Sequence, residues 1–241
     1  MANLLIDIGN SNCKVACAHG TELGEIFRSS SADLLGFILS IIADRYFKVI
    51  VLSTVREDDP KMQSVLKGMC GKLVVLNKET GLPDGFTIGF EPKTLGMDRL
   101  AGALAVSRLF AGKDCIKFDF GTALTVDFIN SDGVYAGGNI SLGLQSRFRA
   151  LNTFTKRLPL LTPTEEFKET GTDTVGSITA GVILGVIFEV EGYLRKNPGR
   201  TAVFTGGDSV YFAKKMDTPV YVIQNLVLIG LAIIADYYAQ N

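Results

Sequence analysis

The spacing of apolar residues along the chain predicts an alternating series of strands and helices. Short apolar runs predict strands at residues 3–6, 49–55, 73–76, 115–118, 124–130, 134–140 and 201–204. Apolar residues that recur every three or four positions predict helices over 31–46, 61–69 and about 143–152, and one that starts near Thr174. Because strand and helix alternate, we expect a sheet with helices packed on it, parallel at least in its later strands.

Two polar segments interrupt this pattern and predict long surface loops. Residues 77–95 are rich in Gly, Pro and charge, and residues 158–172 are polar and punctuated by proline. The first loop runs into Gly96-Met97-Asp98-Arg99 and then into a helix of small residues at 100–106. Asp98 and Arg99 are therefore expected at a helix N-terminus.

Two short segments, one in each half of the chain, repeat one arrangement of residues. Asp7–Lys14 and Asp119–Asp127 each follow an apolar strand, place Gly two residues after the acid, and continue into a second strand. One such turn is more often an ordinary hairpin. However, Gly after a strand lets backbone N–H groups approach a phosphate, and the acid can hold a hydrated divalent cation. The pair predicts two related domains, 1–113 and 114–241, that bind one nucleotide.

Composition and charge narrow the class of protein. With 241 residues and 47% hydrophobic content, the chain can bury one large core or two compact ones, and the internal repeat favours two. A net charge of −1 without a basic stripe argues against nucleic-acid binding. The longest apolar stretches, at 178–190 and 226–235, are shorter than the roughly 20 residues of a membrane span. We therefore expect buried helices there and no membrane contact.

Cysteine and histidine usage is typical of a cytoplasmic protein without zinc or histidine chemistry. The four cysteines include no C-x-x-C pair, which fits a reducing compartment. The N-terminal segment lacks the basic region of a secretory signal. The single histidine, His19, lies in a turn-like segment, so a zinc cluster, a phosphohistidine relay or a Ser-His-Asp triad is not expected.

Taken in order, these motifs resemble those of the type III pantothenate kinases, members of the sugar kinase, Hsp70 and actin superfamily, over nearly the whole chain. Asp7-x-Gly9-Asn10-Ser11-x-x-Lys14 is similar to the family's first phosphate motif, and Asp119-x-Gly121-Thr122-Ala123-x-Thr125 to its second. Gly96-x-Asp98-Arg99 is similar to its pantothenate and catalytic motif. The remaining matches are Gly137-Gly138-x-Ile140 followed by Gly143, Thr174 before a small-residue helix, and the strand-to-helix turn Thr205-Gly206-Gly207.

The resemblance implies an α/β fold of two RNase H-like domains of the actin and Hsp70 type. Each domain would be a mixed sheet flanked by helices, with an ATP cleft between the two. The implied activity is ATP-dependent phosphorylation of pantothenate to 4′-phosphopantothenate, the first step of coenzyme A biosynthesis. Mg²⁺, a monovalent cation such as K⁺ or NH₄⁺, and a homodimer are implied with it.

The resemblance also implies a role for each motif residue. Asp7 would hold Mg²⁺ through water, and Asp119 would bind the monovalent cation. Asp98 would accept the proton of the substrate hydroxyl, and Arg99 would bind the substrate carboxylate with two parallel hydrogen bonds. The remaining ATP-binding residues would be Gly9, Asn10, Ser11, Lys14, Thr122, Gly206 and Gly207. The substrate-binding residues would be Gly96, Asp98, Arg99, Gly137, Gly138 and Thr174.

Several of these side chains also have a purely structural interpretation. Lys14 suits an exposed strand lysine, Asp98 and Thr174 suit helix caps, and Arg99 suits an ion pair with Glu91. Asp127 is either a supporting partner of the site or the end of its strand, and we assign it no role.

Two positions depart from the family pattern. Leu142 stands where the family has a proline, which loosens the backbone near the substrate. Gly89 stands where the family has an aromatic residue, with Phe90 adjacent. Both departures concern pantothenate binding more than ATP chemistry. They leave open a kinase of another small hydroxy acid or polyol, and a nucleotide-binding regulatory or accessory protein of the same fold is the other alternative.

Overall fold

The computed structural model describes residues 1–43 and 45–241. Contacts divide the chain into two compact units, each made from more than one stretch. The first unit comprises Met1–Ala111, Asp132–Tyr135 and Asn225–Asn241, and the second comprises Gly112–Ser131 and Ala136–Gln224. The boundary predicted from the sequence, at 113/114, lies close to Ala111 and Gly112, where the chain first passes from the first unit to the second. Residues 225–241, which that boundary assigns to the second domain, pack with the first unit.

The first unit is built on a mixed five-stranded sheet. Its strands are β1 (Asn3–Ile8), β2 (Cys13–His19), β3 (Glu22–Ser29), β4 (Phe47–Thr54) and β5 (Cys70–Val75), in the order β3-β2-β1-β4-β5. The pairs β1–β2 and β2–β3 are antiparallel, whereas β1–β4 and β4–β5 are parallel, as expected for the later strands. The pattern of apolar residues did not indicate β3, because this edge strand is largely exposed.

The described residues of the first unit form the helices α1 (Leu34–Ile42), α2 (Pro60–Gly68), α3 (Met97–Leu109) and α7 (Leu226–Gln240). The helices α1 and α2 cover the sheet face that carries Ile6 and Leu52. Because side chains alternate along a strand, α7, which packs on β1 and β4, covers the opposite face, and α3 packs on α7. The contact between the two helices is close, since a Cβ at Gly230 would lie 1.9 Å from the Ala101 carbonyl oxygen.

The predicted loop over 77–95 is irregular except for one short pairing within the first unit. Strand β6 (Thr87–Ile88) runs parallel to Val134 and Tyr135, the first residues of β9 (Val134–Leu142). The Gly89 N–H also donates to the Tyr135 carbonyl at 2.9 Å, which fixes the segment just before Phe90.

The second unit repeats the plan of the first. Besides β9, its strands are β7 (Cys115–Phe120), β8 (Ala123–Ile129), β10 (Thr201–Gly206) and β11 (Tyr221–Val222), in the order β11-β10-β7-β8-β9. The pair β7–β8 is antiparallel, and β7–β10 and β10–β11 are parallel. Its helices are α4 (Leu144–Phe154), α5 (Thr174–Lys196) and α6 (Ser209–Ala213). Two mixed sheets flanked by helices confirm the predicted fold class.

An aromatic cluster fills the core of the second unit. Phe118, Phe120, Phe204 and Phe212 are buried on one face of the sheet, and the Phe120 ring centroid lies 4.8 Å from that of Phe204. Buried aromatic pairs of this kind contribute about 0.5–1.5 kcal/mol each beyond the area that they bury. They therefore fix the strands β7 and β10, whose ends carry the candidate site.

Helix α5 is longer than the apolar stretch predicted at 178–190. Its 23 residues make it the helix in the described part of the chain that is long and apolar enough to cross a membrane by length and composition. Its residues Ile183, Val186 and Val190 lie in the core of the second unit. The expectation of a buried apolar helix is met along this face.

Three of the four cysteines, Cys13, Cys70 and Cys115, are buried, and all four are free thiols. Burial raises the pKa of the Cys13 and Cys115 thiols to about 11. Both thiols stay protonated at neutral pH and pack as small apolar side chains.

Candidate active site

The first of the two predicted phosphate turns connects β1 to β2. The turn is closed by a hydrogen bond from the Gly9 N–H to the Asn12 carbonyl at 2.9 Å, and Asn10 and Ser11 are exposed at its tip. Asp7, near the end of β1, pairs with Lys14 on β2 and with Ser53 on β4. Residues in register share a sheet face, so Lys14, Asp7 and Ser53 form a row across three strands. The structure thus brings Asp7 and Lys14 together beside the turn.

Ser53 is a member of this row that the sequence analysis missed. Its side chain is fully buried, and its hydroxyl has no hydrogen-bond partner among the described residues. A buried hydroxyl without a partner costs about 1–3 kcal/mol, so such a group commonly has a ligand or water to bind. A hydrated Mg²⁺ held by Asp7 fits this site, because its water molecules offer Ser53 a partner.

The residues Gly96, Asp98 and Arg99 lie at the start of α3, as predicted. The N-cap residue is Gly96, which makes no side-chain capping bond, and the Arg99 N–H donates to Asp98 Oδ1 at 2.8 Å. A Cβ at Gly96 would lie 2.6 Å from Asp98 Oδ1, so glycine is needed for the carboxylate to occupy this position. Glu91, the alternative partner of Arg99, forms an ion pair with Lys93 at 3.3 Å.

Phe90 supplies an aromatic ring one residue after the position where the family has one. The ring packs edge-on against Tyr135, with centroids 5.6 Å apart, and remains 39% exposed. The hydrogen bond from the Gly89 N–H to the Tyr135 carbonyl anchors the backbone next to Phe90. Phe90 therefore presents a partly exposed aromatic ring beside Gly89, and its part in pantothenate binding stays a prediction.

The second phosphate turn connects β7 to β8 and is fixed by the start of α4. The Thr122 carbonyl accepts hydrogen bonds from the Gly143 N–H at 3.0 Å and from the Ser146 hydroxyl at 2.7 Å. A Cβ at Gly143 would lie 2.0 Å from the Gly121 carbonyl oxygen, so the helix can approach the turn only through glycine. Thr122 is exposed at the tip of this rigid turn.

The end of β10 lies directly against Asp119. Gly206 has a φ of +92°, and a Cβ there would lie 2.5 Å from Asp119 Oδ1 and 2.6 Å from the Phe120 carbonyl oxygen. The Asp208 N–H donates to that carbonyl at 3.2 Å, and burial raises the pKa of the Asp208 carboxyl. Asp119 and Gly206 are thus brought together, and Gly207 is exposed beside them.

This oxygen-rich corner fits a monovalent cation. The Asp119 carboxylate and the Phe120 carbonyl are hard oxygen ligands, and the missing side chain of Gly206 leaves their oxygens room. In contrast, the described residues contain no cluster of three or more His, Cys, Asp or Glu side chains. A divalent ion would accordingly be held by one carboxylate, water and substrate phosphates, which is the usual manner of Mg²⁺.

Thr174 and Leu142 line one apolar groove of about 900 Å³, together with residues of α4 and α5. The N-cap of α5 is Asp173, whose carboxylate accepts the Gly176 N–H at 2.7 Å, so Thr174 is not the cap. Leu142, one of the residues that line this groove, is 51% exposed. The end of β9 is held by Arg147, whose Nε donates to the Leu142 carbonyl at 2.8 Å.

The pair Gly137-Gly138 lies in the middle of β9, and Gly137 has a φ of +102°. That conformation favours glycine, which has no side chain to cover the backbone at this position. Both glycines precede Leu142 on the strand that leads to the groove.

A buried ion pair beside Asp119 was not predicted. Lys117 Nζ lies 2.8 Å from Asp127 Oδ2, and both side chains are at most 1% exposed. The two residues are paired in register on β7 and β8, and Asp119 follows Lys117 on the same sheet face. Asp127 is therefore the partner of a buried lysine.

Comparisons with known proteins agree with this arrangement. A family profile described as type III pantothenate kinase matches residues 3–196. A type III pantothenate kinase from Phocaeicola vulgatus is 40% identical over 240 residues, which cover 98% of this chain and 98% of that protein.

Solved structures share the fold. A conserved Baf family protein from Campylobacter jejuni, named as a transcriptional activator, has a TM-score of 0.66 at 22% identity and covers 99% of this chain and 100% of its own. The activator of the 2-hydroxyisocaproyl-CoA dehydratase from Clostridium difficile, with bound ADPNP, has a TM-score of 0.60 at 15% identity and covers 100% and 96%.

The two mixed sheets, with a glycine turn after an acidic strand end in each, place the chain in the actin and Hsp70-like fold class. Within that class, the identity to curated relatives over almost the entire chain is decisive. The chain belongs to the type III pantothenate kinase family, which confirms the resemblance read from its motifs.

Proposed function

We propose that this protein transfers the γ-phosphoryl group of ATP to pantothenate, forming 4′-phosphopantothenate at the start of coenzyme A biosynthesis. The observation that carries the proposal is the 40% identity to a type III pantothenate kinase over 98% of both chains. The half-buried Asp98 and Arg99 at the start of α3 supply the two groups that such a reaction needs.

In the proposed mechanism, Asp98 accepts the proton of the pantothenate primary hydroxyl as its oxygen attacks the γ-phosphorus. The bond from that phosphorus to the bridging oxygen breaks, and ADP leaves with the electron pair. Phosphoryl transfer passes through a loose transition state, so the protein mainly positions the reactants and neutralises charge. Arg99 binds the pantothenate carboxylate, with Gly96, Gly137, Gly138 and Thr174 as further substrate contacts.

The proposed ATP contacts are distributed over the motifs of each unit. In the first unit, Gly9, Asn10 and Ser11 bind the β- and γ-phosphates and Lys14 contacts a phosphate oxygen. Asp7 holds Mg²⁺ through water. In the second unit, Thr122, Gly206 and Gly207 contact the nucleotide, and Asp119 binds a monovalent cation. When bound, the cations neutralise charge on the transferring phosphoryl group.

We further propose that the protein is a cytoplasmic homodimer organised in two domains. The groove that contains Leu142 and Thr174 also exposes Phe154, which is 87% accessible, and Phe188 on α5 is 60% accessible. Exposed apolar patches often mark protein contacts, as well as membrane contacts and ligand grooves. A second copy of the chain is proposed to cover the exposed rings of Phe154 and Phe188, and the mass of the protein in solution tests this.

The proposal is tested by following ADP release from ATP by purified protein in Mg²⁺ and K⁺, with and without pantothenate. We expect ADP release that depends on pantothenate and a product with the mass of 4′-phosphopantothenate. ADP release only with another hydroxy acid or polyol would replace pantothenate by that acceptor. No release with any acceptor would favour the regulatory or accessory alternative.

The cation site is tested by Asp119→Ala in the same assay. We expect the wild-type protein to lose activity when Na⁺ replaces K⁺, and the variant to show about the same low activity in either salt. The loss should be on the order of tenfold, the effect of removing one charge-assisted contact. The matched control is Asp132→Ala, in an exposed turn, which should keep the K⁺ preference. If Asp119→Ala keeps the preference for K⁺ over Na⁺, the assignment of the cation to Asp119 is contradicted.

A further inference from the structure

Arg56 lies just beyond β4 and is bonded to the first phosphate turn. Its Nε donates to the Gly9 carbonyl at 3.0 Å, and its Nη2 donates to the Asn10 carbonyl at 3.1 Å. Two successive carbonyls of the turn are therefore bound by one planar guanidinium group. A lysine carries its three donors on one nitrogen and lacks the rigid planar fork whose separate nitrogens make these two bonds.

The backbone of Arg56 is itself fixed to the same turn. The Val55 N–H donates to the Ile8 carbonyl at 3.0 Å, which extends the pairing of β4 with β1 by one bond. The Arg56 N–H donates to the Thr54 hydroxyl at 3.0 Å. The guanidinium thus starts from a defined position and does not have to be ordered when a ligand binds.

These bonds determine where the N–H groups of the turn point. No described peptide bond is cis, and in a trans peptide the carbonyl and the N–H are directed oppositely. Because the Gly9 and Asn10 carbonyls point toward Arg56, the N–H groups of Asn10 and Ser11 point away from it. Successive N–H groups on one side of a turn form a concave anion site.

We propose that Arg56 is a positioning residue for the phosphate turn, which orients the Asn10 and Ser11 N–H groups toward the polyphosphate of ATP. This inference rests on the proposed function, because it takes ATP as the ligand of the turn. Arg56 acts through the backbone, and its two bonds to carbonyls remain in place when the nucleotide leaves.

The inference is tested by nucleotide binding, measured by calorimetry with a non-hydrolysable ATP analogue and Mg²⁺ in the absence of pantothenate. We expect Arg56→Ala to raise the Kd about tenfold, the effect of losing one hydrogen bond to a charged group. We expect Arg56→Lys to recover little of this, since it restores the charge but not the fork. In turnover assays, the KM for ATP should rise and the KM for pantothenate should stay unchanged.

Chemical rescue separates positioning from a general loss of stability. Arg56 is exposed and lines a cavity of about 360 Å³, so a guanidinium ion can enter the space left by Arg56→Ala. Added guanidinium at millimolar concentration should restore nucleotide affinity. The control is Arg108→Ala, which also removes a guanidinium bonded to a backbone carbonyl, that of Asp84, and should change neither affinity nor its response to guanidinium.

The outcomes separate this inference from the proposed function. Wild-type protein that binds the analogue through Arg56 but never phosphorylates pantothenate would support the inference and overturn the function. An active wild type with Arg56→Ala within twofold in Kd, or with Arg56→Lys equal to the wild type, would overturn the inference alone. Wild-type protein that does not bind the analogue would overturn both.

Discussion

Replacement of Asp98 by asparagine should lower kcat by about two to four orders of magnitude, the usual effect of removing a positioned acid or base. Asparagine keeps the size of the side chain and an oxygen that can accept the Arg99 N–H, which Asp98 Oδ1 accepts at 2.8 Å. The start of α3 should therefore stay intact, whereas the group that takes the substrate proton is lost. Calorimetry with the ATP analogue should give an unchanged Kd.

The matched control is Asp33→Asn, the same change at another helix N-terminus. Asp33 caps α1 by accepting the Gly36 N–H at 2.8 Å, and asparagine caps helices about as well. The control should therefore leave kcat unchanged. A kcat for Asp98→Asn within tenfold of the wild type would remove Asp98 from the role of base.

The two tight turns that follow β1 and β7 could be predicted because their determinants are local. Gly9 and Gly121 each follow an acidic strand end by two residues, and each gives a tight turn whose first N–H is bonded across it, to Asn12 or to Ala123. Strand β4, expected at 49–55, is observed at Phe47–Thr54, and α2, expected at 61–69, at Pro60–Gly68. The periodic spacing of apolar residues and the residue types in the turns are sufficient to predict such elements.

The packing partner of the C-terminal helix could not be predicted in this way. The apolar pattern indicated a helix from Leu226, but a helix that is apolar on most sides carries no local signal for the surface it covers. In the structure, α7 packs on β1, β4 and α3, and Gly230 lets it approach Ala101. A single domain boundary along the sequence cannot describe a C-terminal helix that follows the second unit in the chain but packs with the first.

Arg56 and Ser53 show the same limit within the site. Arg56 is 47 residues from Gly9 along the chain, and its role depends on the parallel pairing of β1 with β4. Ser53 is one of two polar residues at the end of an apolar strand, and only the register of β4 with β1 places it beside Asp7. Residues that support a site from an adjacent strand require the sheet order before they can be identified.

The role of Lys117 also depends on the sheet register, and its replacement has the largest expected effect on stability. Alanine at position 117 should lower the free energy of unfolding by about 3–5 kcal/mol, because it leaves the Asp127 carboxylate buried without its counter-charge. Denaturation in urea, followed by circular dichroism, measures the loss. The control is Lys48→Ala, an exposed lysine on β4, which should change the free energy by less than about 0.5 kcal/mol.

A double variant distinguishes the charge from the packing of the Lys117 stem. Lys117→Met with Asp127→Leu removes both charges and keeps similar volumes, so we expect stability within about 1–2 kcal/mol of the wild type, or above it. A double variant as unstable as Lys117→Ala would show that the pair holds β7 and β8 in a way that apolar side chains cannot replace. A loss of less than about 1 kcal/mol for Lys117→Ala would mean that the pair is not buried in solution. Since Asp119 follows Lys117 on the same strand, the double variant also shows whether this pair is required for the K⁺ preference or only for the stability of the sheet.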